Sequence, residues 1–410
     1  MNMNSNQRDI PFGSFQHLNR NVGDRKVVLF GAGDGAHKTG RKLGREYAFI
    51  VDNNPNMWHT IERNKDVLDP EEIKGRSDEF FVLICTTSFV EVSKQLESFG
   101  FSPQNDYIVS PILNDLRIIS ELENHCAKLL FTSGLPEIDD KECGGGVYEL
   151  KLKGHLWEYR KVYSGICYGI IEFEDTFITI DDKLGIVQMD QDYNVLKSKE
   201  LKHATRGHGL SYSEKYKRFY VVSSYRDSII VLDQEFNSVD EIFVSGKFEQ
   251  CGEPEHHCND LCVVDDSLYI SMFSHTGNWK RDIFDGVALE VSLVDHSILK
   301  PVISNLWMPH NISFLDGSLT VLDSLRGELK TNNARPIGRF PAFTRGLDYD
   351  GIFYYIGQSR NRNYSKNLGL SLNISIDTAI VIFDPVTKAS RTIGLPQKLS
   401  EIHSILLLKT

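Results

Sequence analysis

The sequence lacks the features that define several classes of protein. Its 410 residues contain no stretch near the ~18 consecutive apolar residues that a membrane-spanning helix needs. The first 20 residues have no apolar core, so we expect neither a secretory signal nor a membrane span. Long lysine and arginine runs are also missing, and 45 basic against 56 acidic residues give a charge of -11. Because nucleic-acid binding requires the neutralisation of phosphates, we expect no nucleic-acid partner.

Cysteine is scarce and irregularly spaced. The 7 cysteines form no disulfide framework, and together with the expected absence of a signal they predict reduced thiols in the cytoplasm. Cys258 and Cys262, with His256 and His257 close by, form one cluster that a structural zinc ion could use. The alternating pattern of residues 258–264 instead predicts a strand, and the usual two knuckle pairs are missing.

A strand, a glycine turn, a helix and a second strand begin the folded part of the chain. The apolar run KVVLF (26–30) ends in GAGDGA (31–36), a helical stretch follows, and AFIVDNNP (48–55) comes next. This order matches the Gly-x-Gly-x-x-Ala form of the dinucleotide fingerprint. The pattern therefore predicts a parallel sheet with an anion-binding turn.

The fingerprint supplies four candidate cofactor-binding residues. Gly31 allows the tight turn, Gly33 lets the backbone approach a phosphate, and Ala36 lets the helix pack close to the strand. Asp52, at the end of the second strand, is placed to accept hydrogen bonds from a ribose. The expected cofactor is NAD or a nucleotide sugar. The alternative is a fold of this kind that holds no ligand.

The runs VDNNP (51–55) and VLDPEEI (67–73) resemble small Rossmann-like domains of sugar-modifying and surface-polysaccharide enzymes. That resemblance implies a nucleotide, a nucleotide sugar or no ligand. The fold class that we expect is α/β plus all-β. Its predicted domains are a flexible N-terminus at 1–24, a small Rossmann-like parallel-sheet domain at 25–111, a connecting helix and linker at 112–145, and a six-bladed β-propeller at 146–410.

A repeat in the second half carries the propeller prediction. Each unit has a polar residue, then a small or polar one, then Leu or Ile at the start of an apolar strand. The polar positions are Tyr168, His208, Asn259, His310, Arg345 and His403. They are roughly 35 to 58 residues apart, near the ~40–50 residues of a four-stranded blade. The last unit has only the strand HSILLL (403–408), so we expect residues 146–153 to complete its blade and close the ring.

Longer motifs resemble a known family. The segments MPHNISF (308–314), VLDSLRGEL (321–329), FTRGL (343–347) and GQSR (357–360) resemble a family of uncharacterised bacterial propeller proteins. The chain is more loosely similar to gluconolactonase-like six-bladed propellers. In those proteins an Asn-Asp pair, matched here by Asn259, opens an inner strand beside an axial divalent metal. This chain has histidines at the matching positions of other blades.

The convergence of polar residues on the propeller axis predicts a site. Our candidate catalytic residues are His208, His310, His403, Arg345 and Glu401. The candidate metal ligands are His208, Asn259, His310 and His403, for Zn, Fe, Mn or Ca. In a metal-free alternative, Arg345 and Arg206 clamp an anion while a histidine moves a proton. A third possibility is that the axial residues only bond water and strand ends.

These patterns favour a protein that modifies a sugar or nucleotide sugar in bacterial surface-polysaccharide metabolism. Its expected partner is a small anionic or polyhydroxyl molecule, and a hydrolase, lyase or epimerase activity fits. The alternatives are a non-catalytic ligand-binding or scaffold propeller in the same pathway, and an NAD-dependent oxidoreductase. The loop after the second strand of one blade, with Asp323, Ser324, Arg326 and Glu328, is either a binding loop at the mouth of the channel or an ordinary exposed hairpin turn.

Overall fold

The computed structural model describes residues 11–62, 64–201, 206–332, 335–360 and 373–408. It divides into two compact units, Met1–Glu121 and Leu122–Thr410. In the described part of the chain, no helix is long and apolar enough to cross a membrane.

The first unit contains one six-stranded sheet. In sheet order its strands are Ile61–Glu62, Lys65–Leu68, Ile50–Val51, Lys26–Phe30, Phe80–Ile84 and Tyr107–Val109. The last five run parallel to one another, and the first pairs antiparallel, so the sheet is mixed. The helices of this region are Phe15–Asn21, Asp34–Lys42, Phe89–Ser98 and Asn114–Glu123, with short 3-10 turns at Pro55–Met57, Pro70–Ile73 and Pro111–Leu113.

The central strands of this sheet are apolar because both of their faces are covered. In Lys26–Phe30, Val28 and Phe30 join one buried cluster, and Val27 and Leu29 join the cluster on the opposite face. Alternate residues of a strand point to opposite faces, so a doubly covered strand is continuously hydrophobic.

The N-terminal segment corrects one prediction. The sequence predicts flexibility at residues 1–24, but residues 11–24 are ordered around the helix Phe15–Asn21. Ser14 caps this helix by accepting a hydrogen bond from the His17 backbone at 3.1 Å. Leu18 and Val22 are fully buried, and this burial fixes the segment. Residues 1–10 lie outside the described residues.

The second unit confirms the six-bladed β-propeller. Each blade is a four-stranded antiparallel sheet, and in blades 1 to 5 the strands follow the chain from the inner strand to the outer one. Blade 1 comprises Cys167–Phe173, Thr176–Asp181, Gly185–Met189 and Val195–Lys199. Blade 2 comprises Gly207–Ser213, Arg218–Ser223, Ser228–Leu232 and Ser238–Phe243. Blade 3 comprises Cys258–Val264, Ser267–Met272, Gly286–Ser292 and Ile298–Leu306. Blade 4 comprises His310–Leu315, Ser318–Asp323, Glu328–Thr331 and Pro336–Arg339. Blade 5 comprises Phe343–Tyr349, Tyr354–Ser359, Ala379–Phe383 and Ser390–Gly394. Blade 6 departs from chain order only at its inner strand, and it comprises Ile405–Leu407, Cys126–Ser133, Gly146–Lys153 and Leu156–Ser164. Helix Lys247–Cys251 and 3-10 turn Trp279–Arg281 lie in connections.

Blade 6 is built from both ends of the second unit. The propeller therefore begins earlier in the chain than the sequence predicts. The strand Ile405–Leu407 pairs with Cys126–Ser133, which in turn pairs with Gly146–Lys153. The propeller therefore starts near residue 126 and not at 146. Residues 112–145 are not a helix and linker throughout, because the helix ends at Glu123 and a buried strand follows. Its Leu129, Leu130 and Phe131 are fully buried, which explains why it joins the sheet.

The inner strands of blades 1 to 5 share an irregularity at the axial end. In blade 1 the register shifts between Cys167 and Ile170, and in blade 2 between Gly207 and Leu210. The equivalent shifts in blades 3 to 5 fall at Cys258/Asp260, His310/Ser313 and Thr344/Leu347. A bulge leaves an extra residue unpaired and re-aims its side chain. In these five blades, each polar residue of the repeat therefore lies at or beside a bulge.

The propeller cores lie between neighbouring blades, and they separate the two cysteines of the zinc hypothesis. Cys258 belongs to the apolar cluster shared by blades 2 and 3. Cys262 packs against the cluster shared by blades 3 and 4. The two thiols therefore face different cores and cannot bind one ion together.

Candidate functional site

Three side chains of the predicted axial set contact one another at the axis. The Tyr168 ring lies parallel to the His208 ring, with centroids 4.4 Å apart. The His403 ring meets both edge-on, at 4.8 Å from Tyr168 and 5.6 Å from His208. Blades 6, 1 and 2 therefore contribute one continuous aromatic and imidazole contact.

Arg345 joins the remaining predicted residues. Its Nε donates to Nε2 of His310 at 3.2 Å. Its Nη1 lies 3.4 Å from both Oε1 of Glu401 and Nε2 of His403. Glu401 also approaches His403, with Oε2 and Nε2 3.5 Å apart. The five candidate catalytic residues therefore lie together. Arg345 contacts His310, Glu401 and His403, and His208 joins them through its ring contact with His403.

The residues two positions before His208, Asn259 and His310 form a second layer next to the axial residues; in an extended strand, such residues would lie on the same face. Arg206, His257 and Met308 precede their inner strands with φ of 54°, 54° and 52°, in the left-handed region. This turn, unusual for residues with side chains, replaces the extended geometry that alternation predicts. Arg206 is exposed and lies over the Tyr225 ring at 4.9 Å, so it does not join Arg345 in a clamp.

Aromatic side chains cover the side of the site formed by blades 3 to 5. The His257 ring lies 4.3 Å from Phe273 and 4.8 Å from Trp279. His310 lies 5.4 Å from both Phe273 and Phe343. These aromatic rings therefore pack directly against the imidazoles of His257 and His310.

Three imidazoles of the site are neutral at physiological pH. Burial, followed by nearby cationic or imidazole groups, holds the pKa of His208 and His310 well below 6.5. Burial also lowers the pKa of His257 to about 3, with Arg206 and Arg345 adding to the effect. A neutral imidazole has one N–H and one lone pair, so each ring can both donate and accept.

Three buried polar atoms at the axis have no hydrogen-bond partner among the described residues. They are His208 Nδ1, His257 Nδ1 and Asn259 Nδ2. Their residues are 9%, 7% and 3% exposed. An unsatisfied buried polar group costs about 1–3 kcal/mol, so three together indicate a place for a polar molecule.

The second residue of the repeat connects the blades. Asp260 Oδ2 accepts from the Asn311 backbone at 3.0 Å, and Asn311 Oδ1 accepts from the Gly346 backbone at 2.5 Å. Asn311 Nδ2 donates to the His403 carbonyl at 3.1 Å. In blade 2 the second residue of the repeat is Gly209. A Cβ atom at this position would lie 2.7 Å from Asp260 Cα, so the close contact between blades 2 and 3 requires glycine.

Two further residues of the site were not predicted as such. Ser324, expected in a binding loop or a hairpin turn, has its Oγ 2.8 Å from His310 Nδ1. Gly134, expected in a linker, lies against the axis, and a Cβ there would be 2.7 Å from Tyr168 Cε1 and 2.8 Å from His403 Nε2. The recurrence of serine after second strands, as at Ser224 and Ser274, is the signal that could have pointed to Ser324.

The placement of these residues does not fit the predicted metal ligand set. No group of three or more His, Cys, Asp or Glu side chains within the described ranges is arranged to hold a metal ion. Arg345 places N–H groups beside Nε2 of His310 and of His403, where a metal would need lone pairs. The donor set suits a polar organic ligand better than a cation.

The first unit has a separate cleft of about 790 Å³ at the glycine turn. Gly31, Gly33 and Asp52 line it, together with Lys38 and Lys42. Gly31 has φ of +104°, which requires glycine. Three of the four predicted cofactor-binding residues therefore lie at one cleft.

The other details of the glycine turn differ from the expectation. Ala36 is buried and does not line the cleft. The tight helix-to-strand contact is at Gly35, where a Cβ would lie 2.1 Å from the Cys85 carbonyl oxygen. Asp52 is already engaged, because Oδ2 accepts from the Ala32 backbone at 2.6 Å and Oδ1 from that of Asn54 at 2.8 Å.

Comparison with known families shows the family to which the propeller belongs. A family model described as a domain of unknown function, DUF4915, matches residues 151–410. The chain belongs to the DUF4915 family. All six residues of the axial repeat lie within the DUF4915 match, whereas the strand Cys126–Ser133 of blade 6 precedes it. A comparison with curated proteins finds no match.

Solved structures similar to this DUF4915 protein are distant in sequence. One is a chain of a nidogen/laminin complex, with 12% identity, a TM-score of 0.48, and coverage of 68% of this chain and 97% of that one. A protein of unknown function from Bacteroides caccae has 12% identity, a TM-score of 0.47, and coverage of 69% and 100%. Virginiamycin B lyase from Staphylococcus aureus has 10% identity, a TM-score of 0.40, and coverage of 58% and 73%.

Proposed function

We propose that the propeller binds a carbohydrate at its axis and performs acid–base chemistry on it, in bacterial surface-polysaccharide metabolism. The observation that carries the proposal is the set of three buried, unpartnered polar atoms on His208, His257 and Asn259. Neutral imidazole and amide groups match hydroxyl groups, since each partner can donate or accept. A polyhydroxyl ligand would satisfy all three.

The aromatic side chains beside the imidazoles support a sugar ring as the ligand. Phe273, Trp279 and Phe343 present apolar rings close to His257 and His310. Small-molecule sites combine such apolar rings with a few convergent polar groups. A pyranose has apolar C–H faces and a polar rim of hydroxyls, so it complements both the aromatic rings and the polar atoms.

The network of Arg345, Glu401 and His403 supports proton transfer. His403 Nε2 lies within 3.5 Å of both an arginine N–H group and a carboxylate oxygen. Such coupled charges in a buried site are typical of acid–base catalysis. Glu401 is the expected acid or base, with His403 as its partner and Arg345 stabilising developing negative charge. A hydrolase, lyase or epimerase would use these roles.

A non-catalytic sugar-binding propeller is the second candidate. The observation that favours it is the bond from Arg345 to His310, because it occupies the lone pair that His310 would use as a base. In this alternative, the charged network only shapes the pocket.

The glycine cleft of the first unit supports a nucleotide or nucleotide-sugar site in a Rossmann-like domain. Two lysines, Lys38 and Lys42, line it beside the turn at Gly31. Phosphates bind at such turns through backbone N–H groups and helix N-termini. Because Asp52 already bonds the turn, it is a weaker ribose acceptor than the fingerprint implies. A thermal-shift screen of NAD and UDP-glucose, with Gly33→Val as the variant, tests this site.

Calorimetry and NMR on the full chain test the axial proposal. Wild-type protein should bind members of a panel of hexoses, uronates and hexose phosphates, and His208→Ala/Asn259→Ala should bind them at least about tenfold more weakly. His155→Ala, an exposed histidine on a hairpin, serves as the matched control. Turnover of a bound sugar, lost in Glu401→Gln while binding persists, supports the enzyme; binding without turnover supports the second candidate. Failure of every sugar to bind would overturn both.

A further inference from the structure

His257 contacts two aromatic rings, and each of those rings has a cation beside it. The His257 ring lies 6.3 Å from Tyr225, and Arg206 lies over that tyrosine at 4.9 Å. The His257 ring also lies 4.8 Å from Trp279, and the Lys280 ammonium lies 5.7 Å from the tryptophan ring. Two positive charges therefore lie near a buried imidazole whose Nδ1 has no partner among the described residues.

Hydrogen bonds fix the backbone at Arg206 and next to Lys280. The carbonyl of Arg206, in its left-handed conformation, accepts from the Ser224 backbone at 3.2 Å, which fixes it beside Tyr225. The 3-10 turn Trp279–Arg281 is braced from its N-terminal side, because Asn278 N donates to Ser274 Oγ at 3.0 Å. Ser274 in turn bonds Asp285. The backbone that carries the two cations therefore needs little reorganisation when a ligand binds.

The charge at this position is unusual for the chain. The net charge is -11, yet Arg206 has no carboxylate partner among the residues that the structure describes. Lys280 pairs with Glu253 at 3.0 Å, but both side chains are about half exposed. Exposed ion pairs are worth little, so an anion on a ligand can compete for the lysine.

We propose that His257, Arg206 and Lys280 form a subsite for an anionic group, so that the ligand of the axial site is an acidic sugar. This inference rests on the proposed function. A phosphate or carboxylate oxygen accepts from the Nδ1–H of neutral His257, and the two cations neutralise its charge. A cationic group is excluded here by repulsion from the same two side chains. The sugar ring then extends to His208 and Asn259.

Matched sugar series test the subsite by calorimetry on the full chain. Glucose, galactose and mannose are each compared with their uronate and their 6-phosphate. The acidic members should bind about tenfold more tightly than the neutral parent, because hydrogen bonds to charged groups are the stronger ones. Preference for the phosphate series identifies a phosphorylated sugar, and preference for the uronate series identifies a carboxylated one.

Variants distinguish the subsite from general electrostatics. Arg206→Gln/Lys280→Gln should abolish the preference for acidic members and leave neutral binding unchanged, while Glu253→Gln should strengthen acidic binding. Arg281→Gln, which removes the same charge from the same turn, is the control and should change nothing. Equal affinity for neutral and acidic members, or an equal loss in Arg281→Gln, would overturn the subsite but leave the proposed function standing. If no member of any series binds, the proposed function itself fails.

Discussion

Arg345 and the Met308 carbonyl fix the tautomer of His310. Its Nε donates to His310 Nε2 at 3.2 Å, and the opposite nitrogen, Nδ1, lies 2.9 Å from the Met308 carbonyl. A carbonyl can only accept, so the ring proton is on Nδ1 and the lone pair on Nε2 is bound by the arginine. His310 is therefore a positioning residue for Arg345. We therefore propose His403 and Glu401, and not His310, for the proton-moving role that the motif suggested.

Replacing Arg345 with glutamine should raise the pKa of the axial histidines. The guanidinium lowers the pKa of His208 and His310 by repelling a second positive charge. Without it, the protonated rings are less disfavoured, although burial still keeps both pKa values low. NMR titration of the imidazole nitrogens measures this. Arg218→Gln, on a blade 2 strand, should leave both values unchanged; equal shifts in the two variants would contradict the prediction.

Gly134→Ala should perturb the axis although residue 134 lies outside the repeat. The new methyl group would lie 2.7 Å from Tyr168 Cε1 and 2.8 Å from His403 Nε2. Overpacking of this kind costs about 1–3 kcal/mol, which chemical denaturation measures. Gly394→Ala, where nothing lies within 4 Å, is the control and should cost much less. Similar costs for the two variants would show that Gly134 is not held against the rings.

Asp260 should give the propeller a stability that falls as pH rises. Burial raises the pKa of this carboxyl from 3.8 to about 7, against the lowering effect of backbone bonds from Leu261 and Asn311. Between about pH 4 and 7 the folded state thus binds more protons than the unfolded state, and the free energy of unfolding decreases with pH.

The difference in unfolding free energy between wild type and Asp260→Asn isolates this effect. Because asparagine does not titrate, the difference should fall by at least about 1 kcal/mol from pH 4 to 7, given ~1.4 kcal/mol per pKa unit. Denaturant melts at several pH values measure it. Asp192→Asn, an exposed turn residue, serves as the control. A difference that does not change with pH would rule out the proposed titration.

A fragment of residues 122–410 should fold, and one of residues 146–410 should not. The shorter fragment lacks the strand Cys126–Ser133, which lies between Ile405–Leu407 and Gly146–Lys153 in blade 6. Its loss leaves the ring open and exposes two unpaired strand edges. Circular dichroism and thermal melts compare the two fragments. Cooperative melting of both at the same temperature would show that the strand is dispensable.

The sequence was sufficient to predict the propeller and the residues that meet at its axis. One polar position per inner strand recurs, and any closed ring of blades brings such positions together, so His208, His310, Arg345 and His403 could be grouped without coordinates. Their roles could not be assigned, because these depend on which nitrogen faces which donor. The bond between Arg345 and His310 joins residues 35 positions apart in different blades.

Two other features could not be predicted because their local sequence gives no clear signal. The strand Cys126–Ser133 follows a helix, and its short apolar run fits either helix or strand by periodicity. The second layer depends on left-handed turns at Arg206 and His257, and neither residue type signals that conformation. Within the predicted flexible N-terminus, the helix Phe15–Asn21 was missed because Leu18 and Val22 were too few to reveal its buried face.

The closure of blade 6 also sets the order in which the site can form during synthesis. Glu401 and His403 leave the ribosome after all of blades 1 to 5, and the strand that they precede must then return to Cys126–Ser133, made about 270 residues earlier. Until that happens, Arg345 has no carboxylate from Glu401 and the histidines stay in water. A chain interrupted before this point would have five complete blades and an axis without Glu401 and His403.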